Sequence, residues 1–463
     1  MKLIKSIRHE YLYNFLVFIL ILLVLPLFLY KLGQTSLVSW DEAWYAEVAR
    51  NILKTGNIIN LSWNNRLYTD HPPAGYWIMA LSYKIFGVNE FWTRFPSALS
   101  GIISIILVCF LGRKLFDPLV GLISGLALSS ATWFVYRSRL GDLDIMLTMF
   151  FLLSILLAIK ATENKRFIFP LLISLVLLFL TKTMVPLVII PTLILIFYKN
   201  KLYKWHELLL PIILFLVTVG GWFVFQLIQD PNFTRNYLGI GLRGVTFKST
   251  YLANLNLAKE YLHSGIGKWF WGGLIAIMLS VFLKQKRFFI FIIFFVFFMT
   301  PIAFSPKIQI WHLIPTFPIL ILVYFGFTFA VLEKYLNRWK YQIYAVIIIF
   351  SIFIYFNQIK MIWYQIINIP AFISDEAILS KEAGKYPQHL MIDGDFAPAA
   401  IFYSQKETVD KIQIDQLVPL LQSQDDFLMI TRKNSLNDPN ISKNAYKILK
   451  EDRDKVLILH ITQ

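Results

Sequence analysis

Lys284-Gln285-Lys286-Arg287 is followed by FFIFIIFFVFFMTPIAF at residues 288–304, and this stretch decides which solvent the chain folds in. Cations close to one end and a run whose one polar side chain is Thr300 make a segment near the ~20 residues that cross a bilayer. Working outward, runs of similar character recur at Asn14–Lys31, Pro96–Gly112, Pro118–Tyr136, Ile145–Ala161, Phe167–Thr181, Val185–Tyr198, Leu208–Gln229, Trp269–Leu283, Ile310–Leu332 and Tyr341–Asn357. With Phe288–Phe304 they predict about eleven spans, two of them short. The composition agrees: 57% hydrophobic and 16% charged, with Phe 41 and Trp 13, is too apolar for an ordinary water-facing surface. The fold class expected is mainly α, a polytopic helical bundle.

A net charge of +16 would suggest a nucleic-acid partner in a soluble protein. Here the cations sit in short clusters between apolar runs, as topology signals do, so nucleic acid is excluded as a partner. Lys2/Lys5/Arg8, Arg113/Lys114, Lys160/Lys165/Arg166, Lys199/Lys201/Lys204, Lys284/Lys286/Arg287 and Lys334/Arg338/Lys340 all fall on one side, which the positive-inside rule assigns to the cytoplasm. The first run lacks a small-residue cleavage pattern and reads as an uncleaved anchor in a plasma-membrane protein. Cys109, the single cysteine, lies inside a span and offers neither a disulfide framework nor a thiolate metal site.

With an odd number of spans, the outer side receives residues 32–95, residues 230–268 and the tail. Residues 1–357 then form the membrane domain, and 358–463 an outer domain. The tail turns polar, with strand-like runs at His389–Ile392, Phe427–Thr431 and Val456–Ile461 and a helical pattern at Ile414–Gln422, which predicts a small α/β fold.

Long outer loops are where a membrane enzyme keeps its chemistry. In the first loop, Ser39-Trp40-Asp41-Glu42 opens a helical pattern that stops at Gly56, with Trp44, Val48, Ile52 and Leu53 on one face. That face predicts a helix lying flat in the membrane interface. Ser39 and Glu42 fit a capping box, and Asp41 would favour the helix dipole with no chemistry involved. Tyr68-Thr69-Asp70-His71-Pro72-Pro73 then leads into a helix over Ala74–Phe86 that ends at Gly87, and there Asp70 fits a simple cap. Arg139-Leu140-Gly141-Asp142-Leu143-Asp144 returns the third span to the fourth on the same side, where an Arg–Asp pair at a hairpin would account for the acids. Lys182, Lys307, Arg235 and Arg243 share that face, and each taken alone reads as a snorkelling or solvated residue. Together, carboxylates and separated cations at one rim suit a substrate that carries a phosphate and a hydroxyl to be deprotonated.

Trp40-Asp41-Glu42-Ala43-Trp44-Tyr45-Ala46-Glu47 and Asp70-His71-Pro72-Pro73-Ala74-Gly75-Tyr76-Trp77 resemble the bacterial polyprenyl-phosphate-sugar transferases of the GT-C class, which include protein O-mannosyltransferase-like and lipid A aminoarabinose transferase-like enzymes. The likeness continues in Phe86-Gly87-Val88-Asn89-Glu90-Phe91 with Arg94, Pro96 and Ser97, in Arg139 to Asp144, Lys182, Ser305-Pro306-Lys307, Trp311-His312-Leu313-Ile314-Pro315 and Ala400-Ile401-Phe402-Tyr403, in that order along the chain. It implies an inverting transfer of a sugar from a polyprenyl-phosphate carrier to a hydroxyl on a lipid, glycan or protein, catalysed by a monomer. Asp41 matches the general base, with Glu42 and Asp144 as further catalytic acids. Tyr45, His71, Lys182, Arg243, Lys307 and His312 fall to donor-phosphate or substrate binding. Asp70 matches a position that is Glu in many relatives and joins metal binding in some; with His71 it offers a carboxylate and an imidazole to a divalent metal. Two departures stand out: His71 replaces a common Lys, and Trp44 replaces an Arg. A lipid-linked-sugar flippase and a non-catalytic envelope scaffold are the rival classes. A transporter would place polar residues near the bilayer centre, and this chain keeps its charges at the rims.

Overall fold

A computed structural model describes residues 2–198, 202–242, 251–305, 307–394, 398–423 and 425–461. The chain forms two compact units: Met1–Lys31, Thr69–Gly75 and Phe95–Ile369 make the first, and Leu32–Tyr68, Tyr76–Arg94 and Pro370–Gln463 the second. The first outer loop therefore clusters mostly with the tail, a division that differs from a boundary at residue 357.

In the first unit, each of the eleven apolar runs is helical. Among the described residues, Glu10–Leu29, Glu90–Leu115, Leu143–Ala161, His206–Gln229, Lys286–Ala303, Ile310–Tyr335 and Lys340–Ile367 are long and apolar enough to cross a membrane. The other four runs are broken or shorter than a lone span requires. Pro118–Leu128 and Thr132–Ser138 meet at a 68° bend. There the Ser129 and Ser130 hydroxyls donate back to the Leu126 and Ala127 carbonyls, offering the backbone an alternative to the helix ladder. Val185–Phe197 begins as a 3-10 turn and carries Pro186 and Pro191, which cannot donate to that ladder. Ile168–Phe179 and Trp269–Phe282 are simply short.

Burial sorts these helices. Leu143–Ala161 is buried on nearly every face, as expected of a central helix. His206–Gln229 keeps Leu210, Val217 and Ile228 exposed, a lipid-facing pattern. Close approach is bought with glycine where the Glu90–Leu115 and Pro118–Leu128 helices cross. A Cβ on Gly121 would stand 2.3 Å from the Cys109 carbonyl oxygen, and one on Gly112 2.6 Å from the Gly121 Cα. Gly121→Ala is therefore expected to cost about 1–3 kcal/mol and to lower the melting temperature of purified protein. Gly220→Ala, where an added Cβ meets nothing within 4 Å, should leave it unchanged.

The second unit is built on a five-stranded mixed sheet. After a small hairpin of β1 (Ser62–Trp63) and β2 (Arg66–Leu67), whose turn residues Asn64 and Asn65 have φ of 50° and 56°, come β3 (His389–Asp393), β4 (Val409–Ile412), β5 (Phe427–Arg432), β6 (Lys447–Asp452) and β7 (Lys455–His460). Their order is β4-β3-β5-β7-β6, with β3 parallel to β4 and β5, and β7 antiparallel to β5 and β6. The three central strands are the ones the sequence announces. The missed edge strands, β4 and β6, carry exposed charges that blunt a sheet edge and hide the alternation. The helix expected over Ile414–Gln422 is a 3-10 turn followed by the single turn Leu417–Leu420.

The Asp41–Thr55 helix ends at Gly56 in the left-handed region, as the sequence requires. Two expectations about it are overturned. It does not present an apolar face to a membrane interface: Ala43 and Ala46 pack with Leu37, Ala377, Ala399 and Phe402, and Trp44 stacks on Trp63 at 4.4 Å. Nor does Ser39 cap it. The Ser39 hydroxyl accepts the Ala399 N–H at 3.2 Å, and Glu42 bonds backward to the Val38 N–H.

Candidate functional site

Within the first unit, chemistry gathers where the Leu143–Ala161 helix begins. Asp142 caps that helix by accepting the Asp144 N–H at 3.0 Å and pairs with Arg137, whose guanidinium lies 4.6 Å from the Trp311 ring centre. The hairpin ion pair is thus Arg137–Asp142. Arg139 serves as a backbone clasp, donating to the Leu27 and Tyr30 carbonyls. Asp144, in the first helical turn, meets Lys182 at 2.5 Å, with both side chains about 95% buried. Ion pairs so far from water are expensive unless their geometry is good or they are put to use.

Lys182 stands on the loop after the Ile168–Phe179 helix, two residues ahead of Met184, whose φ of 36° is unusual for an unbranched side chain. The Asp70–His71 turn is drawn toward that loop, since the Ala74 N–H donates to the Leu180 carbonyl at 2.7 Å. Gly75 packs against Leu143 so closely that a Cβ would stand 2.3 Å from its Cδ2. His71 is buried.

Asp144, Lys182 and His312 line a cavity of about 270 Å³ whose other walls include Val188, Phe298 and Ile302. Its lining thus combines a charged pair with apolar walls. His312 Nδ1 accepts the Gln309 N–H at 3.2 Å. Lys307 is exposed and is not part of this lining, and Arg243 lies outside the described residues. Among the described residues, no three His, Cys, Asp or Glu side chains gather to hold a metal ion, so Asp70 and His71 gain no third ligand there.

Within the second unit, Asp41 opens its helix half-buried, where the dipole favours a carboxylate. Glu42 is buried and taken by a fork: Arg94 Nε donates to one carboxylate oxygen at 2.7 Å and Nη2 to the other at 3.0 Å. The same guanidinium donates to the carbonyls of Leu32, Thr35 and Ser36. It fixes the segment entering the helix. Arg94, one of the residues that carry the family resemblance, is thus the partner of a candidate acid. Tyr45, a substrate-binding candidate, is buried edge-on against Tyr76 at 5.6 Å. Tyr403 donates to Glu90 and accepts the Leu37 N–H at 2.7 Å, and burial pushes its hydroxyl well above the usual tyrosine range. Burial likewise lifts the Glu47 carboxyl, against the pull of Arg50 and Lys54.

Comparison with known proteins adds a family match over part of the chain and a fold over nearly all of it. Residues 70–226 match the family described as dolichyl-phosphate-mannose-protein mannosyltransferase. An uncharacterized protein of Aquifex aeolicus is 33% identical over 231 residues, 48% of this chain and 46% of its own length. An undecaprenyl phosphate-alpha-4-amino-4-deoxy-L-arabinose arabinosyl transferase of Pseudomonas fluorescens is 37% identical over 90 residues, 19% of this chain and 16% of its own. The chain thus spans less than half the length of these relatives. The crystal structure of ArnT from Cupriavidus metallidurans bound to undecaprenyl phosphate shares the fold, with a TM-score of 0.73 at 16% identity, covering 96% of this chain and 98% of that one. The Archaeoglobus fulgidus oligosaccharyltransferase follows at a TM-score of 0.57 and 14% identity over 85% and 62%. These findings bear out the resemblance to GT-C glycosyltransferases, and the chain is an integral membrane protein of that fold.

Proposed function

We propose that this chain is a glycosyltransferase of the plasma membrane that moves a sugar from a polyprenyl-phosphate carrier to a hydroxyl of a lipid, glycan or protein on the non-cytoplasmic face, with inversion. The observation that carries this reading is the Asp144–Lys182 pair lining an apolar-walled cavity. A phosphate needs cationic N–H donors and a prenyl tail needs an apolar wall, and this cavity offers both. An ammonium has three donors; the Asp144 contact uses one, leaving others for phosphate oxygens.

In this reading Asp41 takes the proton of the acceptor hydroxyl. The oxygen attacks the anomeric carbon from the face opposite the phosphate, and the bond from that carbon to the phosphate oxygen breaks with its electrons. The proton ends on Asp41, and the negative charge leaves on the released polyprenyl phosphate. Glu42 acts through Arg94, holding Asp41 in place without meeting substrate. His312 completes the polar part of the lining, and Asp70 and His71 shape the turn beside the Lys182 loop. The cationic loops support a cytoplasmic N-terminus and an outer C-terminal unit.

Lys182→Ala is expected to weaken binding of labelled undecaprenyl phosphate to purified protein by about 10- to 100-fold, the worth of a charge-assisted hydrogen bond. Lys307→Ala, an exposed cation outside the cavity, should change it little. Undiminished binding by a folded Lys182→Ala protein would count against the cavity as the donor site.

A further inference from the structure

On the face that the positive-inside rule assigns to the cytoplasm, a second cavity of about 260 Å³ lies between the loop following the Trp269–Phe282 helix and the end of the Phe317–Tyr335 helix. Its lining is apolar at Leu283, Phe327, Ala330 and Val331 and polar at Gln285, Arg287, Glu333 and Lys334. Tyr335 also lines it, and Phe282, Trp339 and Tyr341, neighbours in sequence of these segments, are exposed, the aromatic signature of headgroup depth.

The charge here differs from that of the neighbouring cytoplasmic loops. There, Lys114 is paired with Glu163 at 2.7 Å and Lys165 with Glu207 at 2.6 Å. Around the cavity, residues 283–288 and 333–340 hold Lys284, Lys286, Arg287, Lys334, Arg338 and Lys340 against the one carboxylate of Glu333. An excess of cations at the mouth of an apolar groove, at headgroup depth, complements a phosphate that carries acyl chains.

We propose that this groove holds an anionic phospholipid of the cytoplasmic leaflet. Arg287 and Lys334 take the phosphate, and one acyl chain lies along Leu283, Phe327 and Val331. The site is separate from the donor cavity and does not depend on the glycosyltransferase reading.

The test uses the full chain purified in detergent, titrated with phosphatidylglycerol and followed by native mass spectrometry. Arg287→Ala combined with Lys334→Ala should weaken retention of the lipid by about 25- to 30-fold, at roughly 1 kcal/mol for each of the two cations near a lipid surface converted at 1.4 kcal/mol per decade. Lys114→Ala combined with Lys165→Ala removes the same formal charge elsewhere on that face and should leave retention unchanged. Equal losses in both double variants would reduce the effect to general attraction, and no loss in either would remove the site; both overturn the proposal. Inorganic phosphate is expected not to displace the lipid at equal concentration; if it did, the groove would be a free-phosphate site. A thermal melt of each variant confirms that the fold is intact, and Arg287→Gln with Lys334→Gln replaces any variant that fails to fold.

Discussion

Asp41→Asn is expected to reduce sugar transfer by about 10²- to 10⁴-fold, the usual contribution of a positioned general base. Asparagine keeps the shape of the side chain at the start of the Asp41–Thr55 helix but cannot accept a proton. The structural cost is small: loss of one carboxylate from a helix N-terminus is worth about 0.3–1 kcal/mol, so expression and thermal stability should stay near those of the parent. Donor binding should also persist, since the phosphate is assigned to Lys182. The measurement is turnover of a polyprenyl-phosphate sugar by purified parent and variant, with lipid binding measured in parallel. A variant that keeps both stability and full turnover would remove Asp41 as the base.

Arg94→Ala is expected to destabilise the protein by about 3–5 kcal/mol, because it strands the buried Glu42 carboxylate without its partner. The same change frees the carbonyls of Leu32, Thr35 and Ser36. Glu42→Gln in the Arg94→Ala background should recover part of the loss, since a neutral amide costs less to bury than a lone charge. A cycle of single and double variants measures that coupling. It also separates positioning from catalysis. If Glu42 acts by holding the loop, Glu42→Gln alone should lower turnover by about tenfold, far less than Asp41→Asn. A loss as deep as that of Asp41→Asn would restore Glu42 to the reacting groups.

How far the sequence could be read follows from which physical signals are local. Apolar length and cation placement are local, and every run they marked is a helix. The interruptions were less visible, because the bend at Ser129–Ser130 depends on hydroxyls bonding back to carbonyls as well as on composition. The Asp41–Thr55 and Ala74–Phe86 helices were legible to the residue at their glycine ends, Gly56 and Gly87, since a left-handed terminus leaves a residue signature. What covers a helix is not local. The face of Val48 and Ile52 looked like a membrane-interface face, yet its helix lies under the Pro398–Ser404 helix far along the chain.

Ion pairing was hardest to read. Asp142 and Asp144 are two residues apart, yet one turns to Arg137 as a cap and the other to Lys182 on a different helix connection. The resemblance pointed to Asp144, but nothing local in the sequence gives either acid its partner. Glu42 stood beside Asp41 in the resemblance, and the structure adds that Glu42 is held by Arg94.

The most direct measurement is mass spectrometry of envelope lipids, glycans and proteins from cells with and without this protein. At least one species is expected to carry an added sugar residue when the protein is present, with the addition lost without it and accompanied by accumulation of the polyprenyl-phosphate sugar. Identical profiles, or movement of the lipid-linked sugar across the membrane with no glycosylated product, would contradict this expectation.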